Sequence, residues 1–146
     1  MINLILSNKA AQKLQKQVDS IHEPIADADT WRIDCLSMRK RSIFIITHGT
    51  TLYTFISSYK HGFDGIIEKI ASTAKGNQFN INDIQFVKVP NQSLVGSMNR
   101  IKNLISQLDK YSNASNEQFE DLVNHTPFKH LSFRTPAECY LEEEQK

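Results

Sequence analysis

A chain of 146 residues that is 40% hydrophobic can bury one ordinary core, and its length calls for no second domain. Lys and Arg total 17 against 16 Asp and Glu, with the balance near even along the chain, which argues against a nucleic-acid or membrane surface built on bulk charge. The apolar start M-I-N-L-I-L is too short and too quickly polar for a signal peptide, and no later run approaches the roughly 20 apolar residues of a membrane span, so a soluble, cytoplasmic protein is expected.

Ile2 to Leu6 is a branched apolar run and reads as a strand. Ser7 or Asn8 can then cap a helix in which Ala11, Leu14 and Val18 recur at helical spacing. Asp19 to Thr30 turns to loop composition around Pro24, and strand character returns at Trp31, Ile33, Cys35 and Leu36. The lone Trp31, flanked by alternating apolar positions, is expected to be buried against the I-F-I-I run. Arg39, Lys40 and Arg41 make a charged turn into that run, which spans Ser42 to His48. Gly49 and Thr50 lead to T-L-Y-T-F-I-S, whose β-branched and aromatic content predicts a hairpin partner, with a helix from Thr51 as the alternative.

Phe63, Ile66, Ile67 and Ile70 share one helical face between Phe63 and Ala74, and Gly76 with Asn77 supplies a stop. A short strand from Ile84 to Val89 ends at Pro90. A long helix, capped by Asn91 or Ser93, runs to about Tyr111. After a break at Asn113 to Asn116, Glu117 to Asn124 forms a further helical turn or two. Residues 125–146 read as a Pro-punctuated tail laid across the outside.

On the long helix, Leu94, Met98, Ile101, Ile105 and Leu108 recur at steps of four and three and must face the core. The opposite stripe, Gln92, Gly96, Asn99 and Asn103, is polar yet uncharged, whereas a solvated helix face usually carries charges. A glycine there costs about 1 kcal/mol against alanine, which suggests close approach by the tail, a partner subunit or a ligand. His48, at a strand end, is the histidine best placed to line a pocket beside that stripe. Ser93 and Ser97 are poor nucleophiles here, with no His, Lys or Asp one helical turn away to act as base. The five histidines lack the i, i+4 pairing of a zinc site, so no metal and no cofactor is expected. Arg39 to Arg41 could touch phosphate, although three cations in a turn are more often a solvated tip. Cys35 and Cys139 have no metal-like spacing and are expected to be buried free thiols.

M-I-x-L with its Lys- and Leu-containing helix, W-x-x-x-x-x-x-x-R-K-R-S-I-F-I from Trp31, T-L-Y-T-F at Thr51 and N-Q-S-L-V-G-S-M-N from Asn91 resemble a family of short bacterial proteins of unknown function, found on chromosomes, plasmids and integron gene cassettes. The resemblance covers roughly Met1 to Leu108, and Gln92 stands where that family usually carries Arg. It implies a mobile-element setting and no particular activity. The tail Leu122 to Glu138 is similar to the end of insertion-sequence transposases, which need three metal-binding carboxylates. Asp34 would be the first, but Asn99 falls at the position of the last, so that resemblance implies a catalytically dead relative.

The expected architecture is a single α+β domain, a mostly antiparallel sheet packed by two or three helices. The leading expectation is a non-enzymatic binding or adaptor module using the amide stripe and His48, with a protein partner or a second copy of the chain. The rivals are an enzyme for a small or phosphorylated substrate with a cleft around Ser93, Asn99 and Arg100, and a nucleic-acid-associated protein using Arg39 to Arg41.

Overall fold

Alternation of period two governs the sheet. In a computed structural model that describes residues 2–14, 29–73, 84–87 and 92–144, β2 (Asp29–Ser37) and β3 (Ser42–His48) form the longest ladder, with Trp31 opposite His48 and Ser37 opposite Ser42. β4 (Thr54–Ser58) adds antiparallel to β3. β1 (Ile2–Leu6) lies parallel to β2 on one side and to β5 (Ile84–Val87) on the other, giving the order β4-β3-β2-β1-β5. The domain is therefore α+β with a mixed sheet, antiparallel from β4 to β2 and parallel around β1. A parallel pair needs a crossover, and the long connection from Leu6 to Asp29, which begins with α1 (Asn8–Leu14), supplies it. Ser7 caps that helix, its hydroxyl accepting the Ala10 N–H at 3.1 Å.

Both faces of the sheet are covered. Ile43 and Ile45 pack with Met98, Ile101 and Ile105 of α3 (Gln92–Tyr111) and with Phe119 and Val123 of α4 (Asn116–Asn124). The intervening Phe44 and Ile46 point the other way, joining Trp31, Ile33, Ala10 of α1 and Ile66 and Ile70 of α2 (Gly62–Ala71). Trp31 is buried as expected, edge-on to His48 with ring centroids 4.9 Å apart. Gly65 lets α2 sit close on β4, since a Cβ there would fall 2.7 Å from the Ser57 hydroxyl. The core stripe of α3 is as read from its spacing, with Leu108 partly buried against it. The side chain of Leu94 lies outside the described residues, as do Val18, Pro24, Gly76, Asn77, Val89, Pro90 and Asn91.

The segment after Thr51 is a strand, beginning at Thr54. Leu52, in the turn before it, takes φ 61° and buries its side chain completely. Such a backbone costs of order 1–2 kcal/mol for a residue with a Cβ, and burial of the leucine offsets it.

β4 is the open edge of the sheet, and α4 closes it with side chains. Ser115 begins that helix with a reciprocal capping box to Gln118. Asn116, Glu120 and Asn124 then recur every four residues, about 6 Å along a helix, against Ser58, Ile56 and Thr54 every two residues of strand, about 6.7 Å. The Thr54 N–H donates to Asn124 Oδ1 at 2.8 Å, and Asn124 Nδ2 donates back to the Thr54 carbonyl at 2.9 Å. Ile56 N–H donates to Glu120 Oε1 at 2.7 Å, and Asn116 Nδ2 to the Ser58 hydroxyl at 3.1 Å. The Thr54 N–H and carbonyl and the Ile56 N–H, which could template another strand, are thus occupied.

The C-terminal segment is more than an external tail. Phe128 is 1% exposed and belongs to the α3–α4 core, because the chain turns sharply after it and bridges Phe128 to Arg134. α5 (Pro136–Glu144) then stacks Tyr140 on Tyr53 with centroids 4.4 Å apart. Cys35 and Cys139 are free thiols, the first buried and the second half-buried. Burial, the leading cause for each, raises both above the ordinary thiol range, so neither is an activated nucleophile. Among the described residues, no helix is long and apolar enough to cross a membrane.

Two stability measurements check this arrangement. Asn124→Ala strands a buried N–H and a buried carbonyl of β4, and each orphan costs about 1–3 kcal/mol, so denaturant titration should show a loss of at least about 2 kcal/mol. Burial pushes the Glu120 carboxyl above its usual range, against the pull of the Ile56 N–H and Lys69. The folded protein therefore holds that proton to higher pH than the unfolded chain does. The ionised form weakens the fold at neutral pH, and stability is regained as pH falls through the folded value. Glu120→Gln keeps the acceptor for Ile56 and should raise stability at neutral pH, with the advantage shrinking as the medium is acidified.

Candidate ligand-binding cleft

The residues expected to form one contact surface are separated by the sheet. Gly96, Asn99 and Asn103 lie exposed on the outer face of α3, as does Arg100, whose guanidinium sits 5.1 Å over the Phe128 ring. No described atom lies within 4 Å of a Cβ built on Gly96, so neither the tail nor any other described part of the chain approaches it closely. The side chains of Gln92 and Ser93 lie outside the described residues. His48 belongs to the opposite sheet face, with Trp31, and does not meet the stripe. The physical reason is strand parity: Ile43, Ile45 and Thr47 face α3, so His48 cannot.

His48 is instead an anchor of the β3–β4 turn. Its Nδ1 accepts the Thr51 N–H at 3.2 Å and lies 3.0 Å from the Thr51 hydroxyl, which places the ring proton on Nε2, facing Asp29 Oδ1 at 3.5 Å. The Asp-His-Thr order resembles a nucleophilic triad, but Thr51 is 1% exposed and its hydroxyl also accepts the Tyr53 N–H. A substrate carbonyl cannot reach it. Asp34 is equally committed: it is 2% exposed, with Arg32 Nε at 2.8 Å and Lys102 Nζ at 3.4 Å. Among the described residues, no three His, Cys, Asp or Glu side chains gather as a metal site would require.

An open cleft of about 630 Å³ lies where the β2–β3 turn meets the C-terminal end of α3. Turn residues 37–40 form one wall, and Ser106 with residues 109–113 the other. The turn is closed by Met38 N–H to the Arg41 carbonyl at 2.8 Å. Arg41 pins it to the α3–α4 junction: its guanidinium donates to the Ala114 carbonyl, lies 3.9 Å from the Asp109 carboxylate and covers the Phe119 ring at 4.6 Å. The three cations of R-K-R are therefore unequal. Arg41 is partly buried and structural, whereas Arg39 and Lys40 are exposed and line the cleft.

Lys110 brings a third cation from the helix. Lys40 donates to Asn113 Oδ1 at 2.8 Å, a neutral partner, and among the described residues neither Arg39 nor Lys110 pairs with a carboxylate. Asp109, the one carboxylate among the described lining residues, faces Arg41. Tyr111 stands 78% exposed at the rim, with Lys110 Nζ 5.4 Å from its ring centre. Sequence spacing identified the R-K-R turn but not its neighbours, because nothing local ties residue 39 to residue 110. No family model matches this chain, and no curated protein matches it.

The division among the three cations has a measurable consequence. Arg41→Ala should cost about 2 kcal/mol, the scale of a lost charged hydrogen bond in a partly buried site. Arg39→Ala should stay within about 0.5 kcal/mol, as exposed substitutions do. Chemical denaturation of both variants reads the difference, and equal losses would place the turn elsewhere.

Proposed function

We propose that the protein is a non-enzymatic binding module for an anionic ligand, held in the cleft between the β2–β3 turn and the end of α3. One observation carries this reading: three cations, Arg39, Lys40 and Lys110, line one opening of ligand size with no carboxylate of the described residues paired to them. The near-even overall charge makes this a local feature, suited to a compact anion more than to a long polyanion. The binding-module class stays as the sequence implied, while the contact moves from the amide stripe of α3 to its C-terminal end. The enzyme reading around Ser93, Asn99 and Arg100 gains no base from His48, which lies across the sheet from Asn99 and Arg100. The two unpaired thiols support a reducing, cytoplasmic setting.

Tripolyphosphate is a suitable probe. Calorimetric titration of the intact chain should give a saturable isotherm that weakens as salt rises. Combined Arg39→Ala and Lys110→Ala substitutions should weaken it at least tenfold while circular dichroism is unchanged. Absence of binding, or binding indifferent to those substitutions, removes the cleft as the site.

A further inference from the structure

The lining of the cleft carries more than positive charge. Among the described residues Tyr111 is the most exposed of the large hydrophobic side chains, an aromatic face left in water at the end of a 20-residue helix and beside the cation Lys110. Its exposed ring offers a flat surface on which a second π-system can stack. Asp109 adds an acceptor to the same lining, and only one of its oxygens faces Arg41.

Bare phosphate would use the cations, and would gain nothing from an aromatic face or a carboxylate. A ligand that combines phosphate, a flat π-system and hydroxyl or amino donors would use all three. Resting on the anion-binding reading above, we propose that the cleft takes a nucleotide: the phosphates lie among Arg39, Lys40 and Lys110, the base stacks on Tyr111, and Asp109 accepts from ribose hydroxyls or a base amino group. The volume of about 630 Å³ falls in the range of small-molecule sites and suits a single nucleotide. Stacking on an aromatic side chain is tolerant of base identity, so the site distinguishes nucleotide from polyphosphate more strongly than one base from another.

Titrations of the intact chain with ATP, tripolyphosphate, an adenylate RNA decamer and a phosphotyrosine peptide test this. ATP should bind at least tenfold more tightly than tripolyphosphate. Tyr111→Ala, at an exposed position, should erase that difference while leaving tripolyphosphate affinity unchanged, and Tyr111→Phe should restore it. Asp109 is excluded as a test position because Arg41 leans on it. A decamer that binds more than tenfold tighter than ATP identifies the nucleotide as part of a single strand; equal or weaker binding identifies a free nucleotide. Equal affinity for ATP and tripolyphosphate, persistence of the difference in Tyr111→Ala, or tighter binding of the phosphopeptide overturns the nucleotide assignment while the anion site stands. Failure of tripolyphosphate to bind removes both.

Discussion

Closure of the β4 edge by α4 is the constraint on which the rest of the molecule depends. Four residues of helix advance nearly as far as two residues of strand, so a polar side chain every fourth position can serve backbone groups every second position. Glu120 and Asn124 do so, Asn124 bonding both the N–H and the carbonyl of Thr54, while Asn116 at the next such position bonds the Ser58 hydroxyl. Apolar Phe119 and Val123, one step aside on the same helix, reach into the core between the sheet and α3. With α4 aligned to the strand, the α3–α4 junction has one position available, and Ala114 offers its carbonyl there to Arg41.

That alignment also determines the C-terminal part of the chain. Leaving α4, the chain places Phe128 in the same core and returns through a tight turn to stack Tyr140 on Tyr53. A segment that looks like polar punctuation in sequence thereby covers the hairpin end where Trp31, His48 and Asp29 meet. The hydrogen bonds around His48 serve the turn that holds Leu52 in its left-handed conformation, so this cluster acts as architecture.

The cleft follows from the same geometry. Arg41 holds the β2–β3 turn against the α3–α4 junction, and its neighbours Arg39 and Lys40 are then carried over the end of α3. The C-terminal end of a helix exposes carbonyls and attracts cations, which accounts for Lys110 in the last turn. Three positive groups beyond the single lining carboxylate outweigh that dipole. A protein whose formal net charge is only +1 can thus present a locally cationic site.

The sequence by itself determined several of the strands and helices and which face of α3 is buried, because period two and period 3.6 are local properties, whereas it left the segment after Thr51 open between strand and helix and did not show α5. Ile2 to Leu6, Ser42 to His48 and the Met98, Ile101, Ile105 stripe were legible for that reason. The even charge and the two unpaired thiols were legible from composition. Tertiary structure alone decided that β1 runs parallel to β2, that Phe128 is core, and that His48 lies across the sheet from Asn99. It also decided that Arg41 is a pin while Arg39 faces a cleft shared with Lys110 and Tyr111. Each of these depends on pairing between residues far apart in the chain, and parity along a strand then converts a one-residue difference into opposite sides of the molecule.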